Sequence, residues 1–352
     1  MSQSSPPRIL FLADAGAEVG GGHVMRCLTL ARALVERGAE CAFVESRASA
    51  PILRRFGWPA HTLLAMSDAD NLPALVDYAT SLADLFAADA VVLDHYQTAI
   101  AEEDYLGSAA RKIIVIDDLA DRRHDATLLV DPSFGRRPEA YRALVPEGTT
   151  LLTGPAHALV RPEFASARHR ALSRRARHGP VRRAMVSLGL TDLDAVTHRM
   201  VRALTDILDE VRLDIVLGHD APSIPALTEM AHDDRRLHLW VDTAEMASLM
   251  ADADIAIGAG GSSVWERATV GLPSVTVILA ENQRAMVGQM AEASLTLAVD
   301  ATDPAFETQL REGWSALAGD QGLRWRLTES SAELCDGRGA ERVAEAMINL
   351  LR

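Results

Sequence analysis

The stretch Ile9-Leu10-Phe11-Leu12-Ala13-Asp14-Ala15-Gly16-Ala17-Glu18-Val19-Gly20-Gly21-Gly22-His23-Val24-Met25-Arg26-Cys27-Leu28 decides the fold class. A short apolar run ends at a carboxylate and a glycine-rich turn follows. Val24, Cys27, Leu28, Ala31, Leu34 and Val35 then recur at helical spacing. That succession predicts strand, turn and helix, the opening of a βαβ unit. Similar apolar runs bounded by turn residues return at 41–44, 91–93, 113–116 and 128–130, and again at 184–188, 213–217, 237–240, 255–257, 275–279 and 295–299. Two series of strands alternating with helices predict two doubly wound α/β domains, which suits a chain of 352 residues. The boundary is expected near residue 160, giving domains 1–160 and 161–352. Residues 159–180, with Pro162, Pro180 and the basic run 168–177, read as a solvated connection. Val343, Ala346, Met347 and Leu350 predict a terminal amphipathic helix, counted with the second domain.

Composition narrows the function classes. Hydrophobic residues make up 48% and charged residues 24%, ordinary globular values, and no apolar run approaches the roughly 20 residues that cross a bilayer. The start of the chain shows no cationic segment followed by a small-residue cleavage site, so a cytoplasmic protein without membrane insertion is expected. A formal net charge of −14 argues against nucleic acid, whose phosphates call for a basic surface. Cys27, Cys41 and Cys335 lie far apart and suggest buried thiols; no metal site and no cofactor are expected. An anionic small ligand would have to be held by local devices such as glycine-rich turns and their backbone N–H groups.

In doubly wound sheets ligands bind beyond the carboxyl ends of the strands, so residues at those ends are the candidates. Gly21 and Gly22 lead into His23, which is either a reactive histidine or a cap of the turn. The strand at 91–93 runs into Asp94, His95 and Tyr96, where Asp94 faces a ligand or caps the following helix. Asp117, Asp118, Asp125 and Asp131 read mainly as turn caps. In the second half the strand at 255–257 enters Gly258-Ala259-Gly260-Gly261-Ser262-Ser263, a second candidate cradle for an anion, with Glu266 soon after either as an acceptor for a ribose diol or as a helix-start charge that interacts with the dipole. Glu281-Asn282-Gln283-Arg284 is a polar cluster directly after an apolar strand. The glycines do not follow the dinucleotide fingerprint, which disfavours a dehydrogenase.

Taken in order, these segments resemble the UDP-2,4-diacetamido-2,4,6-trideoxy-β-L-altropyranose hydrolases of pseudaminic acid biosynthesis. The resemblance rests on residues 21–31, Asp94-His95-Tyr96, Ile116-Asp117-Asp118-Leu119-Ala120, Gly154-Pro155 with residues 159–164, Ser187-Leu188-Gly189, residues 258–267 and residues 279–284. It implies a GT-B-like architecture, two Rossmann-like domains facing across a cleft, with UDP on the second domain. It implies UDP-sugar as substrate and UDP as product. His23 would then be the base that activates water, with Tyr96 and Asn282 facing the sugar. Gly21, Gly22 and Asp94 would line the sugar side, Gly260, Gly261 and Ser262 would meet the diphosphate, and Glu266 and Gln283 would belong to the nucleotide site. The chain departs from the family's usual residues at Leu190, where a glycine is usual, and at Leu193, where proline is. A GT-B glycosyltransferase with a sugar or lipid acceptor is the nearest alternative, followed by a UDP-sugar 2-epimerase and by a nucleotide-sugar-binding protein without turnover.

Overall fold

The computed structural model describes residues 5–16, 19–57, 61–64 and 71–352, the backbone alone for 61–64. Ala17 and Glu18 of the first glycine-rich turn lie outside the described residues, as do residues 1–4. The chain divides into two compact units: residues 1–159 together with 338–352, and residues 160–337.

The first unit holds a parallel sheet of seven strands, β1 (Arg8–Ala13), β2 (Glu40–Val44), β3 (His61–Leu64), β4 (Ala90–Asp94), β5 (Lys112–Ile116), β6 (Leu128–Asp131) and β7 (Thr150–Thr153), in the order β3-β2-β1-β4-β5-β6-β7. The second holds six, β8 (Arg183–Ser187), β9 (Arg212–Leu217), β10 (Leu237–Val241), β11 (Ile255–Ala259), β12 (Ser274–Ile278) and β13 (Leu297–Asp300), ordered β10-β9-β8-β11-β12-β13. Both are doubly wound, as the periodicity predicted. The inner strands are apolar on both faces because helices cover each side of a parallel sheet. The periodicity missed β3 and β7. Both are four-residue strands at the edges of their sheet, too short to show an alternation.

Strand order reverses between β1 and β4 in one sheet and between β8 and β11 in the other, and a crevice opens at such a point in a doubly wound sheet. The register pairs Ala13 with Asp94, so the last residues of β1 and β4 leave the sheet side by side.

Two sequence expectations are corrected. The terminal helix (Gly339–Leu351) belongs to the first unit. Its Val343, Ala344, Met347 and Ile348 share one core with Val24, Cys27, Leu30 and Leu34 of the helix Gly22–Val35. That helix is therefore sandwiched between sheet and helix, which is why it is buried nearly all round. The basic run is no solvated connection either. It lies on the helix Pro162–Arg175, which buries Phe164 and Ala171. Arg168 donates to the carbonyls of Thr269 (2.6 Å), Cys335 (3.0 Å) and Ala332 (2.6 Å), and Arg175 donates to those of Val270 and Met250 (2.7 Å each). Carbonyls at helix ends lack intrahelical donors, and these guanidinium groups supply them.

Candidate active site

His23 is the second residue of the helix that follows β1, and it is 5% exposed. Its Nδ1 lies 2.5 Å from Asp94 Oδ1. Arg26, one turn further along the helix, clasps the same carboxylate side-on, with Nε 2.6 Å from Oδ2 and Nη2 2.6 Å from Oδ1. Its Nη1 donates to Asp118 Oδ2 at 2.9 Å. The Cys27 thiol donates toward Asp94 Oδ2 at 3.5 Å, and burial pushes that thiol well above the ordinary cysteine value, so it is no nucleophile. Burial is the largest single influence on Asp94 and opposes its ionisation, but Arg26 and His23, through charge and hydrogen bonds together, outweigh it, and the carboxyl stays well below its ordinary value. An ionised Asp94 accepts a hydrogen bond from Nδ1–H of a neutral imidazole, which leaves Nε2 as the ring's proton acceptor. The Tyr96 ring stands edge-on to this imidazole, with centroids 4.5 Å apart.

Asp94 was expected to meet the ligand. It is fully buried with both oxygens engaged, so its place is behind the imidazole. Gly21 is the residue before the first turn of the helix, its carbonyl accepting from Met25 N–H (3.1 Å), and Gly22 begins the helix. His95 has partners of its own. Its Nδ1 accepts from Gln97 N–H (3.2 Å) and its Nε2 lies 3.7 Å from Asp14 Oδ1. Asp117 and Asp131 do cap turns, accepting from Ala120 N–H and Ser133 N–H at 2.8 Å each, and both also lie within hydrogen-bond distance of the Tyr141 hydroxyl.

In the second unit β11 enters the glycine turn, and the helix Ser263–Thr269 buries Val264, Trp265 and Ala268. Gly260 sits under the helix Glu281–Glu292. A methyl group there would lie 2.6 Å from Val287 Cγ2, so glycine is the residue that fits. Gly261 has open space where a side chain would be, and Ser262 is exposed. Glu266 is oriented by Arg161, whose Nε and Nη2 lie 3.0 and 2.9 Å from Oε1. Gln283 packs on Gly260 and accepts from Leu279 N–H with Oε1 (3.0 Å), which ties the end of β12 to the next helix. Asn282 is exposed in the first turn of that helix.

The loop after β8 carries the departures noted in the sequence. Gly189 has φ +108°, while Asp192, Asp194 and Ala195 all adopt left-handed backbone, which costs a non-glycine residue energy. Buried Asp192 holds the loop, accepting from Thr197 N–H (2.9 Å) and Ser223 N–H (3.3 Å). Leu193 is 44% exposed. Among the described residues, no group of three or more His, Cys, Asp or Glu side chains converges as a metal site.

Reasoning from sequence missed the roles of Arg26, Asp118 and Arg161. Arg26 offered one signal, its place three residues after His23 on a helix, where side chains share a face.

This architecture is the two-domain α/β GT-B fold. Over 98% of this chain and 100% of the other it is similar to MurG of Acinetobacter baumannii, at 17% identity and a TM-score of 0.67. In sequence the chain is 24% identical to the spore coat polysaccharide biosynthesis protein SpsG of Bacillus subtilis, over 96% of this chain and 97% of that one. It is 21% identical to the UDP-2,4-diacetamido-2,4,6-trideoxy-β-L-altropyranose hydrolase of Campylobacter jejuni, over 74% of this chain and 87% of that one. No family model matches. Among the described residues, no helix is long and apolar enough to cross a membrane.

Proposed function

We propose that this protein hydrolyses a UDP-linked sugar to the free sugar and UDP, with UDP-2,4-diacetamido-2,4,6-trideoxy-β-L-altropyranose as the first substrate to test. The observation that carries this reading is the 2.5 Å contact between His23 Nδ1 and Asp94 at the point where the first sheet reverses its strand order. It orients a proton acceptor at the place where a doubly wound sheet receives ligands. Similarity to the Campylobacter jejuni hydrolase supports the choice of substrate class.

In this scheme the second unit holds the nucleotide, with Gly260, Gly261 and Ser262 at the diphosphate, Glu266 at the ribose and Gln283 bracing the turn. Water attacks the anomeric carbon as the bond to the diphosphate oxygen breaks, and the electron pair leaves with UDP. The proton of the attacking water passes to His23 Nε2, and Asp94 stabilises the imidazolium so formed. Such a base contributes about 10² to 10⁴ in rate. UDP departs as a weakly basic phosphate, so no strong general acid is required. Tyr96 and Asn282 are assigned to the sugar.

The test is incubation of purified protein with the UDP-sugar alone, with and without EDTA, followed by chromatography of UDP and NMR of the sugar. The expected result is UDP release without an acceptor and without loss to chelator. Release only when a sugar or lipid alcohol is supplied would make the protein a glycosyltransferase, in which the same histidine deprotonates the acceptor hydroxyl.

A further inference from the structure

Beneath the glycine turn of the second unit lies a buried cation with no carboxylate in ion-pair distance among the described residues. Arg267 is 3% exposed. Its Nη1 donates to Ser263 Oγ (3.1 Å), and its Nη2 donates to the Ala259 carbonyl (2.9 Å) and to Thr276 Oγ1 (3.3 Å). All three partners are neutral oxygens. Buried Nε has no hydrogen-bond partner among the described residues. The adjacent carboxylate, Glu266, is turned toward Arg161. The guanidinium rests on Gly258, where an added methyl group would lie 2.2 Å from Nη1 and 2.7 Å from Cζ. Gly258 is thus a glycine to make room for this arginine.

Burying an ion is costly unless an opposite charge joins it. Burial pushes the Arg267 guanidinium down to about 10, with Glu266 acting in the opposite direction. Two of the atoms that it holds, Ala259 O and Ser263 Oγ, stand at the two ends of the turn assigned above to the diphosphate.

We propose that Arg267 is the built-in counter-charge of this turn, acting on a bound diphosphate through the loop it underlies rather than by contact, so that its charge is balanced only when the anion arrives. The inference rests on the nucleotide reading of the second unit and adds its electrostatic source. It also makes the preference for a diphosphate over a neutral nucleoside a property of one buried side chain.

The experiment compares UDP and uridine, by calorimetry and by competition NMR, on the full chain of the wild type, R267Q and R267K. R267Q is expected to weaken UDP about tenfold, the size of a unit charge acting over several ångströms in a partly buried setting, with uridine unchanged. R267K, which keeps the charge but not the planar hydrogen bonds, is expected to keep the wild-type ratio of UDP to uridine affinity. Equal losses for UDP and uridine in R267Q, or a UDP-to-uridine ratio that falls in R267K as far as in R267Q although the charge is kept, would overturn the proposal, because the arginine would then only shape the loop. If R267Q does not fold, the ratio in R267K decides alone. Wild-type protein that binds neither ligand overturns this inference and the nucleotide reading together.

Discussion

His23 Nδ1 and Asp94 Oδ1 meet at 2.5 Å although 71 positions separate the two residues in the chain. The contact forms because β1 and β4 are neighbours and end at the same edge of the sheet. A doubly wound sheet brings its two strand ends together at the reversal of strand order, and the helix that follows β1 then carries His23 over Asp94.

Replacing either member should impair chemistry with little effect on nucleotide binding. His23→Ala is expected to lower kcat about 10² to 10⁴-fold with UDP affinity retained. Asp94→Asn keeps the shape but offers an amide where Nδ1–H needs an acceptor, and a loss of about 10³-fold or more is expected. The double variant should lose little beyond the worse single one, as for residues that act as a unit. Asp94→Asn also strips Arg26 of its side-on partner, so stability should fall by about 3 kcal/mol in urea titration. Near-normal kcat in His23→Ala would make the histidine a cap of the turn.

Glu266 should be read out by the ribose. Loss of a charge-assisted hydrogen bond costs roughly 1.5–3 kcal/mol, so Glu266→Ala should raise the Kd for UDP by about tenfold or more. For 2′-deoxy-UDP the same variant should change affinity much less. Arg161→Ala, which frees the Glu266 carboxylate from its guide, should cost less than Glu266→Ala. Equal effects of Glu266→Ala on both nucleotides would remove the diol assignment.

Stability should depend on pH through His95. Burial, opposed by Asp14 and Asp94 and assisted by His23 and Arg122, holds His95 below the ordinary histidine value. Between the folded and ordinary values the unfolded chain binds the proton more readily, so stability rises with pH there. The contribution is complete above the ordinary value of about 6.5 and is lost as pH falls through that window. Denaturant midpoints between about pH 7.5 and 5 should therefore drop more in the wild type than in His95→Gln. Parallel slopes would show that the proton goes elsewhere.

The glycines of the second turn should separate by effect. Gly258→Ala drives a methyl group into the Arg267 guanidinium and should cost about 1–3 kcal/mol with an unchanged m-value. At Gly261 a methyl group meets nothing within 4 Å, so Gly261→Ala should change stability by less than about 1 kcal/mol while weakening UDP binding if the diphosphate approaches there. Unfolding of Gly261→Ala would place that glycine among the structural ones.

The amino-acid sequence by itself determined two doubly wound α/β sheets and the strand ends from which the candidate site is built. Short apolar runs, glycine turns and helical stripes are local patterns, and a local pattern is complete within a dozen residues. It also marked His23, Asp94 and the turn at 258–263 as places to look, since each lies at the end of an apolar strand or on the glycine turn that follows one. Only the tertiary structure decided what these groups do to one another. Arg26 and Asp94 lie 68 positions apart, and Arg161 and Glu266 lie 105 apart. A charge on a helix looks solvated until its partner on another strand is known, which is why the basic helix at 162–175 was read as a connection and Asp94 as a ligand contact. The terminal helix returns to the first unit for the same physical reason. Its apolar face was legible in the sequence, but the surface that it covers exists only once β1 and the helix after it have packed.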